Sequence, residues 1–158
     1  MAVLDAEVQA AIGASVLCWL ATIGRDGAPN VSPKEIFCAV DEDRLAIADI
    51  ASPNSVTNIR ANPQVCVSFV DVFRQRGFKL NGTAQLIGRR DPGFEEAAAS
   101  LLRLAGPAFP VRHAILVTVR KAARIIAPSY VLRPEMDDAE RLAAAYRRYG
   151  VQPLPDGT

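Results

Sequence analysis

Histidine is almost missing from this chain of 158 residues: His113 is the only one. A zinc site of several histidines is therefore excluded, and a mixed site would have to join His113 to scattered cysteines. A Ser-His-Asp triad would need the same residue, and no GxSxG elbow accompanies it. His113 accordingly reads as a structural or surface residue, and no metal site is expected. Cysteine is sparse too, with Cys18, Cys38 and Cys66 each alone in an apolar stretch. There is no CxxC, and an odd count argues against a disulfide framework. The three thiols read as small packed hydrophobes, reduced and without a chemical role.

A strong charge of either sign is also lacking. Lys and Arg total 18 against 17 Asp and Glu, a net charge of +1. That balance gives no general field for nucleic-acid binding. The longest wholly apolar run, Val16 to Ala21, falls far short of the ~20 residues of a membrane helix. The start, Met1-Ala-Val-Leu-Asp5-Ala-Glu7, lacks the basic region of a signal peptide, so the expected address is cytoplasmic, with neither membrane nor nucleic acid as partner. GxGxxG and the alternation of a doubly wound parallel sheet are both absent, which excludes a Rossmann reading. No internal repeat or linker divides the chain.

What is present is a globular composition, 50% apolar and 22% charged, read as one domain spanning residues 1–158. Asp5 caps a short helix over about 4–13. Val16 to Ile23 reads as a strand buried on both faces, with Trp19 in the core. Gly24-Arg-Asp-Gly27 is a hairpin turn. Asn30 to Val40 is a second strand, with Pro33 marking an edge or a bulge. Arg44 to Ile50 is a third. Ser52-Pro53 opens a helix that Asn62-Pro63 stops. Strands follow at Gln64–Val72, Gly77–Ile87 and Ala114–Ile126, with a helix capped by Asp91-Pro92 inserted before the last. A final helix over about 138–149 ends at Gly150. The class is mainly β with α additions: a six-stranded antiparallel split β-barrel with short helices.

Two stretches invite chemistry. The third strand feeds directly into the helix at Ser52, whose start offers free N–H groups and partial positive charge to an anion. Ser52, Asn54 and Ser55 add donors there, and Asn58 shares their face. The same residues are also ordinary capping chemistry. In Val31-Ser-Pro-Lys-Glu35, a proline and two opposite charges interrupt an apolar strand. That pattern fits a functional edge or a solvated one. Arg74, Arg76 and Lys79 read as a solvated loop cluster. Arg89-Arg90 and the group Arg120, Lys121 and Arg124 read as surface charge. Tyr146-Arg-Arg-Tyr149 reads as a segment that docks the last helix or meets a second subunit.

Taken in order, several segments resemble the pyridoxamine 5'-phosphate oxidase-like family of flavin-binding split barrels. They are Leu20-Ala-Thr-Ile-Gly-Arg-Asp-Gly-Ala-Pro-Asn-Val-Ser-Pro-Lys34, Leu45-Ala-Ile-Ala-Asp49, Ser55-Val-Thr-Asn-Ile-Arg-Ala-Asn-Pro-Gln-Val65 and Gly77-Phe-Lys-Leu-Asn-Gly-Thr-Ala84. The resemblance implies a homodimer with flavin mononucleotide (FMN) at the subunit interface. By position it implies cofactor contacts from Ser32, Pro33, Lys34 and Glu35, from Ala48 and Asp49, from Asn54, Ser55 and Asn58, and from Gly77 and Lys79. Positions that are basic in the oxidase proper read Asn54, Ser55, Pro33 and Cys38 here. A phosphate would rely on N–H groups, hydroxyls and Lys34 or Lys79. The implied activity is that of a flavin-dependent oxidoreductase or flavin reductase on a small molecule. The alternative is a non-catalytic barrel that carries flavin mononucleotide, a deazaflavin coenzyme, FAD or haem. No side chain stands out as a catalytic acid or base.

Overall fold

The computed structural model describes residues 2–154. The first helix, α1 (Ala6–Ala14), begins where the Asp5 carboxylate accepts the Val8 N–H at 2.9 Å. Its spacing turns Val8 and Ile12 inward beside Leu4, and all three are buried. Seven antiparallel strands follow: β1 (Cys18–Ile23), β2 (Pro29–Lys34), β3 (Phe37–Ala39), β4 (Arg44–Asp49), β5 (Gln64–Asp71), β6 (Arg76–Gly88) and β7 (His113–Ile126). Helix α2 (Pro53–Ala61) joins β4 to β5, and α3 (Phe94–Ala105) joins β6 to β7. The short α4 (Ser129–Leu132) and α5 (Asp138–Tyr149) complete the chain.

The sheet order is β2-β1-β5-β6-β7-β4-β3. Strands β2 and β3 thus form opposite edges although only Glu35 and Ile36 separate them. Lys34 and Phe37 are three peptide units apart, a reach of at most about 11 Å, so the sheet must curl until its edges nearly meet. That is the split barrel. The expected second strand is therefore two strands, which raises the count from six to seven. Pro33 causes no loss in β2, because its missing N–H falls on an edge strand.

The barrel interior holds Leu20, Leu45, Ile47, Val67, Phe69 and Leu80, closed at one end by α1 and at another by Ile59 of α2. A second layer lies outside, where Phe94, Ala98 and Leu101 of α3 cover Ala46 and Ala48 of β4 and Ala114 of β7. The strand buried on both faces is consequently β4 rather than β1. In β1 only Cys18, Leu20 and Thr22 point inward, and Trp19 is 45% exposed. Among the described residues no helix packs over that outer face, so Trp19 is a surface residue and not the core residue expected.

At the far end, α5 docks through aromatic contact. Phe73 lies 5.0 Å from Tyr146 and 5.8 Å from Tyr149, ring centre to ring centre. Arg141 donates to the carbonyls of Arg133 and Met136, both at 2.8 Å, and stacks on Tyr130. No helix among the described residues is long and apolar enough to cross a membrane.

Candidate functional site

The end of β4 delivers the chain into α2, and three polar groups converge there. Lys34 is the last residue of β2 and sits opposite Cys18 of β1, on the inward side. Its side chain is buried and its ammonium donates to the Ser52 hydroxyl. Asp49, 2% exposed, ends β4. One carboxylate oxygen accepts the Ser52 N–H at 3.0 Å, and the other pairs with Nδ1 of His113 at 2.7 Å. Ser52 forms no side-chain cap on its own helix. Its hydroxyl is turned to Lys34 instead, so the first N–H groups of α2 remain uncapped by it.

Electrostatics sharpen the picture. Burial pushes the Lys34 pKa below the ordinary lysine value, while Asp49 and Cys18 oppose that shift. Burial likewise pushes the Cys18 thiol up to about 12, with Lys34 acting in the other direction. A buried ammonium is costly unless an anion or several acceptors surround it. Here its hydrogen-bond partner is a neutral hydroxyl. Ser55, one turn into α2, is 1% exposed, and its hydroxyl has no hydrogen-bond partner. A buried hydroxyl without a partner costs roughly 1–3 kcal/mol. Cation and orphan hydroxyl together leave this helix start short of an acceptor.

The other expected site residues are spread more widely. Ser32 is half-buried, while Pro33 and Glu35 are exposed along β2 and just beyond it. Ala48 is buried, with α3 packed over its side of the sheet. Asn54 is exposed at the start of α2. Asn58 turns to β1, donating to the Thr22 hydroxyl at 3.0 Å, and Asn30 donates to the same oxygen at 3.2 Å. Gly77 is on β6, where a Cβ would lie 2.0 Å from the Phe69 carbonyl oxygen, so only glycine fits. It lines a cavity of about 780 Å3 with Trp19, Phe73 and Ile125. Lys79 is exposed across from Ser68 and Ala123. The basic loop cluster is dispersed: Arg74 pairs with Asp71 at 2.9 Å and Arg76 with Asp138 at 3.5 Å. His113 was not expected at the site. Its place opposite Asp49 is set by the β4–β7 register, which no local pattern announces.

A family profile described as pyridoxamine 5'-phosphate oxidase matches residues 4–125. The chain belongs to the pyridoxamine 5'-phosphate oxidase family. The matched span runs from α1 almost to the end of β7 and includes Lys34, Asp49, Ser52 and Ser55. A search of curated proteins finds no match. Three solved structures illustrate the oxidase-family fold. HupZ of Group A Streptococcus is 22% identical with a TM-score of 0.63, over 73% of this chain and 89% of HupZ. An FMN-binding protein of Syntrophomonas wolfei is 13% identical with a TM-score of 0.64, over 76% and 84%. An F420 reductase is 24% identical with a TM-score of 0.58, over 73% and 94%. At these identities the likeness is one of fold. Within the oxidase family's barrel, this chain has Asn54 and Ser55 at the helix start, and the cation bonded there comes from β2 as Lys34.

Proposed function

We propose that the protein is a homodimeric flavoprotein. It binds flavin mononucleotide with the phosphate at the start of α2, and it serves as a flavin-dependent oxidoreductase or flavin reductase acting on a small molecule. The observation that carries this reading is the buried Lys34 ammonium, bonded only to a neutral Ser52 hydroxyl, beside the uncapped N-terminus of α2. A phosphate there would meet the Lys34 ammonium, the helix N–H groups and hydroxyl donors, with the Asp49 carboxylate held away on the Ser52 N–H and His113. Lys34 and Ser52 would hold it, with Ser55 reaching it by turning about χ1. Asp49 would orient the Ser52 N–H and hold His113. Ser32, Pro33, Glu35 and Ala48 would border the ring through their backbone. The flavin supplies the redox chemistry when bound. The chain's own part is to anchor, orient and exclude water.

Family membership supports the flavin reading, as does the shared fold of an FMN-binding protein and an F420 reductase. The outer face of β1 and β2 supports the dimer. Trp19 is 45% exposed and Val31 56%, on a sheet face that no element among the described residues covers. The three unpaired thiols agree with a reducing cytoplasm.

The test is a titration followed by flavin fluorescence, with flavin mononucleotide and riboflavin in parallel. One lost charge-assisted contact is worth at least tenfold, so the phosphate form should bind at least ten times more tightly. Equal binding of the two would remove the phosphate site. Failure to take up flavin mononucleotide, with uptake of a deazaflavin coenzyme, would turn the reading to that cofactor. Oxidation of a nicotinamide donor in the presence of the flavin separates a reductase from a carrier.

A further inference from the structure

A second concentration of charge lies away from the start of α2. A cavity of about 670 Å3 opens between α2, the end of β6 and the start of β7. Arg60, Arg89, Arg90, Arg112 and His113 line it, with Asp91 as the single carboxylate. Asp91 is itself engaged, accepting the Gly88 N–H at 2.7 Å. Five arginines elsewhere, Arg44, Arg74, Arg76, Arg124 and Arg133, pair with an Asp or Glu, and others on the surface do not; what sets the cavity apart is the number of cations gathered on one wall. Among the described residues the four cavity arginines have no such partner within 4.0 Å. Four arginines lining one hollow repel one another, and a concave wall focuses their field.

Two of the cavity's nitrogen groups are fixed in place. Arg89 Nε donates to the Val111 carbonyl at 2.7 Å, which leaves its outer N–H groups free of that bond. His113 Nδ1 is held by the buried Asp49 carboxylate, which leaves Nε2 as the open nitrogen. Gly88 keeps that edge clear. A Cβ there would lie 3.4 Å from His113 Cδ2 and 3.8 Å from Nε2. Larger residues at 88 would therefore fill the space in front of the ring.

We propose that this cavity binds a small molecule carrying a phosphate group, at a site distinct from the flavin phosphate site. Its volume is within the ~300–1,000 Å3 of ligand sites. Guanidinium forks match phosphate oxygens two at a time, and fixed donors lose little freedom on binding. Asp49 lies behind the cavity wall and links the two regions, with one oxygen on Ser52 and the other on His113. The proposal stands without the flavin reading, because it uses none of the groups at α2's start.

His113 is the sole histidine, so its imidazole gives one set of NMR signals, and the arginine variant below separates the cavity from the start of α2 as their source. Inorganic phosphate and pyrophosphate are titrated into the full chain at constant ionic strength, with chloride as control. The expected result is a saturable shift of the His113 signals with both phosphates and none with chloride. The double substitution Arg60→Gln/Arg112→Gln removes two cations whose side chains make no hydrogen bond or ion pair among the described residues. It should weaken pyrophosphate at least tenfold. Flavin mononucleotide affinity, measured separately, should stay unchanged. A linear, chloride-like drift would overturn the proposal, as would undiminished binding in the folded double variant. If that variant loses flavin mononucleotide and pyrophosphate equally, the cavity is the flavin phosphate's own seat, and the separate site is wrong. A chain that binds pyrophosphate but no flavin would leave this site standing while the flavin reading falls.

Discussion

Replacing Ser55 by alanine removes a hydroxyl that is fully covered and unpartnered. In the flavin-free protein that group carries a desolvation cost of roughly 1–3 kcal/mol with no bond to offset it. Against this stands the loss of one oxygen's packing contacts, a few tenths of a kcal/mol. The net expectation is a flavin-free protein more stable by about 1.5 kcal/mol, or roughly 3–6 °C in Tm for a chain of this size. Thermal unfolding followed by circular dichroism measures it directly. Flavin binding should move the other way. If Ser55 turns to a bound phosphate, the variant forfeits one bond to a charged acceptor, about tenfold in affinity. Riboflavin, without the phosphate, should bind the variant and the parent alike. A lower flavin-free Tm in Ser55→Ala would show that the hydroxyl has a partner in solution and that the orphan argument is wrong. A higher Tm with unchanged flavin mononucleotide affinity would take Ser55 out of the phosphate site.

Lys34→Met should weaken flavin mononucleotide at least tenfold yet leave the flavin-free protein as stable or more stable, since it removes a buried charge; equal binding of the flavin would remove Lys34 from the site. The Lys34 pKa is lowered in the fold, so the unfolded chain binds more protons between the folded and unfolded values, and stability gains with pH across that window. Denaturant titrations over pH 8 to 10.5 should show this contribution in the parent and not in Lys34→Met. Cys18 acts with the opposite sign. Its thiol is raised from 9.0 to about 12, so the folded chain keeps a proton that the unfolded chain releases. Its contribution is whole below pH 9 and should be lost at about 1.4 kcal/mol per pH unit as pH rises toward 12; an equally steep decline in Cys18→Ala would refute the burial argument. Trp19→Glu puts a charge on the uncovered face of β1 and should convert a 34 kDa particle, about twice the 17.0 kDa chain, to a monomer in light scattering. A parent that is already monomeric at micromolar concentration would end the dimer reading.

Most of the element pattern was legible in the chain itself, because local chemistry decides it. Asp5, Pro53, Asn62-Pro63 and Gly150 set helix ends through caps and backbone restrictions that act over three or four residues. The alternation in Gln64–Val72 and Gly77–Ile87 marks strands with one inward face. The start of α2 and the Lys34 segment stood out for the same reason, as polar residues where the apolar pattern breaks. What lies between distant segments was not legible. An apolar run such as Val16–Ala21 does not say whether both its faces are covered, because that depends on where α3 lands. It landed on β4 and β7, leaving Trp19 outside. Pro33 and the charges after it gave no sign that β2 and β3 would become opposite edges of one curled sheet, since strand order is a property of pairing partners far away in sequence. His113 is a lone polar residue at a strand start until the β4–β7 register sets it across from Asp49. Arg89-Arg90 read as surface charge, and Arg60 and Arg112 carry no local signal, until the fold gathers all four around one cavity. Local spacing governs helices, strands and turns; which side chains share a site is decided by register and layer order, and those exist only once the barrel has closed.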